Sequence, residues 1–282
     1  MTRIVSFSEA TRRSIVMAAG KYLRSTLPIL NSHRSVVMYD YGGVGEIKRP
    51  EYSVIYVPGF QGTGHGIKSQ SLIRHCQNRG VRYICYDPEG VGESSIKDFS
   101  QLQFKHWFDD AETVIQASGA EKIVLIGSSM GGWISMKMAN QFPNKICAML
   151  LIAPAVNFLR PKYDHWYKSS SLQVQKEQDE GKAHLMDPTY NSFPISRSFV
   201  EGSFELEIDL TKSYEIKCPA VKIIHGVQDD TVNYLQSIEV MNVMSSSKIE
   251  LIFQKDGDHR MQNESGLSLI KHHLDDLLSR IS

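Results

Sequence analysis

The chain alternates short apolar runs with amphipathic stretches from about residue 35 onward. Apolar runs rich in β-branched residues predict strands at 53–58, 81–86, 122–126, 146–153, 221–225 and 249–253. Segments of helical character lie between or after them at 67–79, 104–117, 130–142 and 267–281. Strands that are apolar throughout are buried on both faces, and the helices between them supply the crossovers. The order therefore predicts an α/β fold with a mostly parallel central sheet and helices on both faces.

The segment 157–217 interrupts this alternation. It carries a charged run at 175–180, scattered aromatic residues and two short helical candidates. Because ligands of such sheets bind outside the carboxyl ends of the strands, we interpret this insertion as a small helical cap over that edge. The alternative is a surface excursion with no part in binding.

Residues 1–34 differ from the rest in charge. They hold six basic residues against one acid, Glu9, with serines scattered among them. That profile is typical of an organelle transit peptide, and it predicts a mitochondrial protein whose folded domain spans 35–282. The alternative is an amphipathic helix capped near Ser8 in a cytoplasmic protein.

The composition of the whole chain excludes some kinds of partner. Basic and acidic residues are equal at 31 each, and the pI is about 7.1, which argues against nucleic acid. The longest apolar run, 146–153, is far short of the ~20 residues that span a membrane. Four cysteines without CxxC spacing predict reduced thiols in a reducing compartment, and nothing in the composition fixes the oligomeric state.

A nucleophile candidate follows the predicted strand at 122–126. The chain continues Gly127-Ser-Ser-Met-Gly131 and then enters a predicted helix, which is G-x-S-x-G in a strand–turn–helix setting. A tight turn lifts the Ser129 hydroxyl clear of the sheet and places it at a helix start. There the backbone N–H of Met130 can stabilise an oxyanion.

A serine nucleophile needs a base, usually a histidine that a carboxylate orients. Asp229 follows the strand at 221–225 and is the predicted acid, with Asp230 as the rival, whose other reading is a helix N-cap. His259 is the predicted base, since it alone among ten histidines lies both late in the chain and just past a strand.

The turn after the first strong strand completes this chemistry. The backbone N–H of Phe60, in Pro58-Gly-Phe60, is the predicted second oxyanion donor, although an ordinary Pro-Gly turn is the alternative. We predict no cofactor and no metal site. The nearby Asp229, Asp230, Asp258 and His259 lack the helical spacing of metal ligands.

These motifs together resemble the α/β-hydrolase superfamily. A narrower resemblance, over about 35–280, is to the family of α/β-hydrolase domain-containing protein 10, and it rests on runs that include Gly127-Ser-Ser-Met-Gly-Gly-Trp133, Pro194-Ile-Ser-Arg197 and Asp256-Gly-Asp-His-Arg260. The resemblance implies an α/β-hydrolase fold with Ser129, Asp229 and His259 as nucleophile, acid and base. The chain departs from the family at Tyr86-Asp-Pro-Glu-Gly90, where the family has an aromatic-Asp-Tyr-Ser-Gly turn.

The same resemblance implies hydrolysis of acyl thioesters on S-palmitoylated proteins. The first alternative is a carboxylesterase for small esters such as acyl glucuronides, and the second is a non-catalytic ligand-binding receptor. Phe193, Phe199 and Trp133 are candidates for contact with an acyl chain, although an aromatic residue of a cap is as often part of the core.

Overall fold

The computed structural model describes residues 11–17, 20–42, 52–94, 101–187, 193–216, 218–246 and 248–281, without the side chains of 11–17, 20, 21, 186, 187 and 193. The strands of its main sheet are β1 (Thr11–Met17), β2 (Gly20–Pro28), β3 (Ser35–Asp40), β4 (Ser53–Val57), β5 (Arg82–Asp87), β6 (Ile123–Ser128), β7 (Ile146–Ile152), β10 (Ala220–Gly226) and β11 (Ile249–Gln254). The helices around this sheet are α1 (Ile67–Asn78), α2 (Phe104–Ala117), α3 (Met130–Gln141), α7 (Leu235–Val243) and α8 (Glu264–Ile281).

Within the described residues, nine strands form the sheet, in the order β1-β2-β3-β5-β4-β6-β7-β10-β11. The six from β5 to β11 run parallel, whereas β1, β2 and β3 pair antiparallel at one side. Every residue of β4, β6 and β10 is buried, as continuous apolar runs predict. The predicted α/β fold, a mostly parallel central sheet with helices, is confirmed.

Two apolar cores cover the two faces of the sheet, because successive side chains of a strand point to opposite sides. Ile55 and Leu125 belong to the core that α2, α3 and α7 cover. Their neighbours Val54 and Val124 belong to the other core, under α1 and α8. The helices thus hold the parallel strands in register, with their carboxyl ends at one edge.

The sheet extends further toward the N terminus than the sequence pattern indicated. Strands β1 and β2 occupy positions where the sequence analysis expected a transit peptide or a helix, and β2 pairs with β3. Tyr22 and Leu27 are each 2% exposed within the cores. Residues 20–34 are therefore integral to the folded domain, and 35 is not its structural boundary; residues 1–10 lie outside the described part.

The insertion between β7 and β10 folds into short elements. They are α4 (Leu159–Ser169), α5 (Leu172–Asp179), the hairpin strands β8 (Leu185–Asp187) and β9 (Phe193–Ile195), α6 (Arg197–Glu201) and a 3₁₀ turn (Phe204–Leu206). The ring of Phe199, in α6, lies 6.1 Å from that of Phe60, which follows β4. This contact brings α6 to the carboxyl edge of the sheet.

None of the helices in the described part combines the length and the apolar character that crossing a membrane requires.

Candidate active site

Ser129 lies on a strained turn between β6 and α3. Its φ of 54° and ψ of −122° are unfavourable for a residue with a Cβ, and such strain recurs at functional sites. Its backbone N–H donates to the carbonyl of Ile152 at 2.8 Å, and its own carbonyl accepts from Gly132 and Ala155. These bonds hold the turn in its strained form.

A glycine is required two residues beyond the serine. A Cβ on Gly131 would collide with the backbone carbonyl of Val57 at the end of β4. The absence of a side chain lets α3 begin against that neighbouring strand, and the turn can then lift Ser129 out of the sheet.

His259 and Asp229 meet this serine in one continuous line of hydrogen bonds. The Nε2 atom of His259 lies 3.0 Å from Ser129 Oγ, and its Nδ1 atom lies 2.6 Å from Asp229 Oδ2. The His259 side chain is 11% exposed and that of Asp229 is fully buried. The structure thus brings together the three residues that the sequence predicted, each just past a parallel strand.

Asp229 is ionised because its hydrogen bonds outweigh its burial. Burial raises the pKa of this carboxyl, but hydrogen bonds from His225, His259 and the Val232 backbone N–H hold the pKa well below its usual range. Oδ1 accepts from the N–H groups of Thr231 at 2.9 Å and Val232 at 2.7 Å. A buried negative charge therefore faces His259 and can stabilise its imidazolium form.

Sequence reasoning missed His225 as part of this site. The structure places it in β10, fully buried, with Nε2 2.9 Å from Asp229 Oδ2. A polar residue directly after the apolar pair Ile223-Ile224, at the carboxyl end of β10 and four positions before the acid, was the available signal.

One predicted oxyanion donor, Met130, follows the nucleophile in the chain, and the other, Phe60, follows the neighbouring strand β4. Met130 is the first residue of α3, so its N–H has no acceptor within the helix. The chain before Phe60 runs close to the serine, since a Cβ on Gly59 would lie 3.2 Å from Ser129 Cβ.

Comparison with known proteins places this architecture in a family. Residues 48–266 match the family described as serine aminopeptidase, S33. The chain belongs to this family. Together with its relatives, this membership makes it an α/β-hydrolase and a serine hydrolase that acts on ester or thioester bonds.

The relatives that this hydrolase matches include a mouse and a human protein, both named mitochondrial palmitoyl-protein thioesterase ABHD10. The mouse protein is 28% identical over 232 residues, which cover 81% of this chain and 76% of the relative. The human protein is 26% identical over 240 residues, with 84% and 76% covered.

Solved structures agree with this relationship. Mouse α/β-hydrolase domain-containing protein 10 has a TM-score of 0.77 at 26% identity, over 92% of this chain and 99% of that one. A putative hydrolase from Agrobacterium vitis has a TM-score of 0.78 at 21% identity, over 95% and 98%, and shares the fold.

A cavity of about 540 Å³ opens over Ser129 and His259 of this hydrolase. Much of its wall is polar, and the polar lining side chains include Gln61, Thr63, Lys68, Gln228 and Gln262. Asp230, the rival acid, also lines the cavity; it is exposed and accepts a bond from Thr231 Oγ1 at 3.1 Å.

The aromatic candidates for substrate contact are placed differently from the prediction. Trp133 and Phe199 are each 1% exposed, and neither lines this cavity. Trp133 donates from Nε1 to the carbonyl of Leu206 and stacks on Phe104, whereas Phe199 packs against Trp107. Both belong to the core beneath the cap, where large apolar rings are most stable. The side chain of Phe193 lies outside the described part.

Proposed function

We propose that this hydrolase cleaves acyl thioesters through an acyl-enzyme intermediate, with Ser129 as the nucleophile, His259 as the base and Asp229 as the acid. The observation that carries the proposal is the line of bonds from Ser129 Oγ through His259 to the buried Asp229 carboxylate. The distances of 3.0 and 2.6 Å are those at which a base can accept the hydroxyl proton and a carboxylate can orient the base.

The reaction proceeds in two acyl-transfer steps. Ser129 Oγ attacks the carbonyl carbon while its proton moves to His259 Nε2, and Asp229 stabilises the resulting imidazolium. The N–H groups of Met130 and Phe60 hold the oxyanion. His259 then gives its proton to the departing sulfur or oxygen, and water, activated by the same histidine, releases the acid.

The leading substrate is a long-chain S-acylated protein. The names of the mouse and human relatives carry this proposal, together with the motifs around Ser129 and His259. The names of these relatives also support the proposed mitochondrial location of this hydrolase. Since Tyr22 and Leu27 are buried, any cleavage of a targeting segment has to fall before β2.

A small-molecule carboxylesterase is the second candidate, and the polar wall of the cavity favours it. Glutamine, threonine and lysine side chains around Ser129 suit a leaving group rich in oxygen, such as a sugar, better than an alkyl chain. Acyl glucuronides are esters of that kind.

The deciding experiment compares two substrates on two enzymes. Wild type and Ser129→Ala are assayed on an S-palmitoyl peptide and on a short-chain nitrophenyl ester. The matched control is Ser118→Ala, because Ser118 is a buried serine in the turn after α2 whose hydroxyl, among the described residues, bonds only to backbone groups. We expect Ser129→Ala to lose roughly ten-thousandfold or more in kcat on both substrates, and the control to match wild type.

Each other outcome has a definite meaning. If wild type cleaves only the ester, the triad assignment stands and the enzyme is reassigned as a carboxylesterase. Failure of wild type on both substrates, or full activity in Ser129→Ala, would reject the proposed mechanism. Sequencing the N terminus of protein recovered from cells tests the location, since an intact Met1 in the cytosol would contradict mitochondrial import.

A further inference from the structure

A second histidine shares the carboxylate oxygen that orients the base. His225 Nε2 lies 2.9 Å from Asp229 Oδ2, the same atom that His259 Nδ1 contacts at 2.6 Å. The side chains of His225 and Asp229 are both fully buried. This bond therefore has no competition from bulk water.

The partners of His225 fix the position of its proton. Nε2 lies within bonding distance of Asp229 Oδ2 and of the Val232 carbonyl at 3.1 Å, and both partners only accept hydrogen bonds. Nε2 must therefore carry a hydrogen. On the neutral ring, Nδ1 then accepts from the hydroxyl of Ser237, which lies 2.7 Å away in α7.

Asp229 is thereby held from two sides. Oδ2 accepts from the two histidines, and Oδ1 accepts from the backbone N–H groups of Thr231 and Val232. A buried carboxylate can rotate about its side chain unless its oxygens are held separately. The backbone donors fix Oδ1, and His225 fixes Oδ2 toward His259.

We propose that His225 is a positioning residue of the hydrolytic reaction, acting through Asp229 and, beyond it, through His259; this inference rests on the triad proposed above. His225 does not meet the substrate. Its N–H keeps the acid in the orientation that the base requires, and it shares the negative charge that His259 would otherwise face alone.

The structure supplies variants that separate positioning from packing. His225→Leu removes the donor and fills the site with apolar atoms. His225→Gln can present an amide N–H near the place of Nε2, whereas the shorter His225→Asn reaches only the place of Nδ1. Ile223→Ala is the matched control, because Ile223 is a fully buried residue of the same strand β10 whose side chain belongs to the core under α2, α3 and α7.

We expect His225→Leu to lower kcat on a nitrophenyl ester by roughly tenfold to a hundredfold, with KM nearly unchanged, the range typical of partners that orient a functional group. His225→Gln should restore most of kcat, and Ile223→Ala should keep the wild-type kcat and KM while unfolding at lower temperature.

The proposal is overturned if folded His225→Leu keeps kcat within about threefold of wild type, or if Ile223→Ala slows the reaction as much as His225→Leu. If His225→Leu does not fold, the proposal is tested by comparing the activity of His225→Gln with that of His225→Asn. Equal activity of these two variants would reject a role for Nε2. Activity of Ser129→Ala is measured in parallel. If that variant is as active as wild type, the triad itself fails, which is a different result from loss of the His225 effect alone.

Discussion

Replacing Lys68 with methionine should stabilise this hydrolase at neutral pH. Lys68 lies in the first turn of α1, lines the cavity beside Ser129 and is only 8% exposed. Its ammonium donates to the backbone carbonyl of Arg260 at 2.6 Å, next to the base. Within the described residues, no carboxylate lies within 4.0 Å of it.

The size of the expected stability change follows from the pKa of Lys68. Burial lowers it from 10.5 to about 8, although Asp258 nearby opposes the change. At about 1.4 kcal/mol per pH unit, the buried charge costs about 3 kcal/mol below pH 8. Methionine removes that cost but leaves the Arg260 carbonyl without its donor, which lowers the free energy of unfolding by about 1 kcal/mol. We therefore expect the variant to be more stable than wild type by about 2 kcal/mol at pH 7.

The sign of the pH dependence is fixed by the same numbers. Between about pH 8 and 10.5 the folded protein loses the Lys68 proton while the unfolded chain retains it, so wild type gains stability relative to the variant as pH rises. The gain from methionine should therefore shrink through this window and vanish or reverse above it. Since both proteins share all other titrating groups, the difference between them isolates Lys68.

Urea unfolding of wild type and Lys68→Met at pH 7 and pH 10 measures this difference. Lys222→Met is the matched control, because Lys222 is 2% exposed but donates to Glu250 at 2.7 Å. Loss of a paired lysine should destabilise the protein at pH 7. A Lys68→Met variant that is less stable than wild type at pH 7, or whose stability difference is the same at both pH values, would refute the reasoning.

Three further predictions follow from the site and the core. Asp229→Asn should lower kcat by roughly ten-thousandfold, because it removes the charge that faces His259. Asp230→Asn should keep kcat within a few-fold of wild type, and steady-state rates on one ester compare the two variants. Phe199→Ala should cost roughly 3–5 kcal/mol in urea unfolding, because its ring packs in the core, with acyl-chain selectivity unchanged. Deletion of residues 1–34 should abolish the folded state seen by circular dichroism, since it removes β2 with Tyr22 and Leu27; a cooperative transition in the truncated protein would contradict this.

The parallel part of the fold could be predicted because its signals are local. The helix predicted at 104–117 is α2 residue for residue, since its apolar periodicity runs between a clear start and Gly119. The strands that precede Ser129 and Asp229 are largely apolar, and the turns after them carry the chemistry. The parallel topology brings the carboxyl ends of these strands to one edge of the sheet. The order of the motifs along the chain was therefore enough to predict the site.

The N-terminal strands could not be predicted because their pattern is weak and their stability comes from elsewhere. Residues 11–17 and 20–28 mix basic and polar residues with few apolar ones, and that composition is shared with transit peptides. Pairing with β3 joins β2 to the sheet, and a single sequence does not reveal that pairing.

Backbone contacts between the two catalytic loops explain the short distance between Asp229 and His259. The N–H of Gln228, beside the acid, donates to the carbonyl of Gly257 at 2.9 Å, and the N–H of Val227 donates to Gln254 at 2.8 Å. The acid turn after β10 and the base loop after β11 are thus tied to each other before their side chains meet. A change that loosens either loop should therefore lengthen the bond of 2.6 Å even where both side chains are intact. The positioning of the triad accordingly depends on residues that take no part in the chemistry, such as His225 behind the acid and Gln228 beside it.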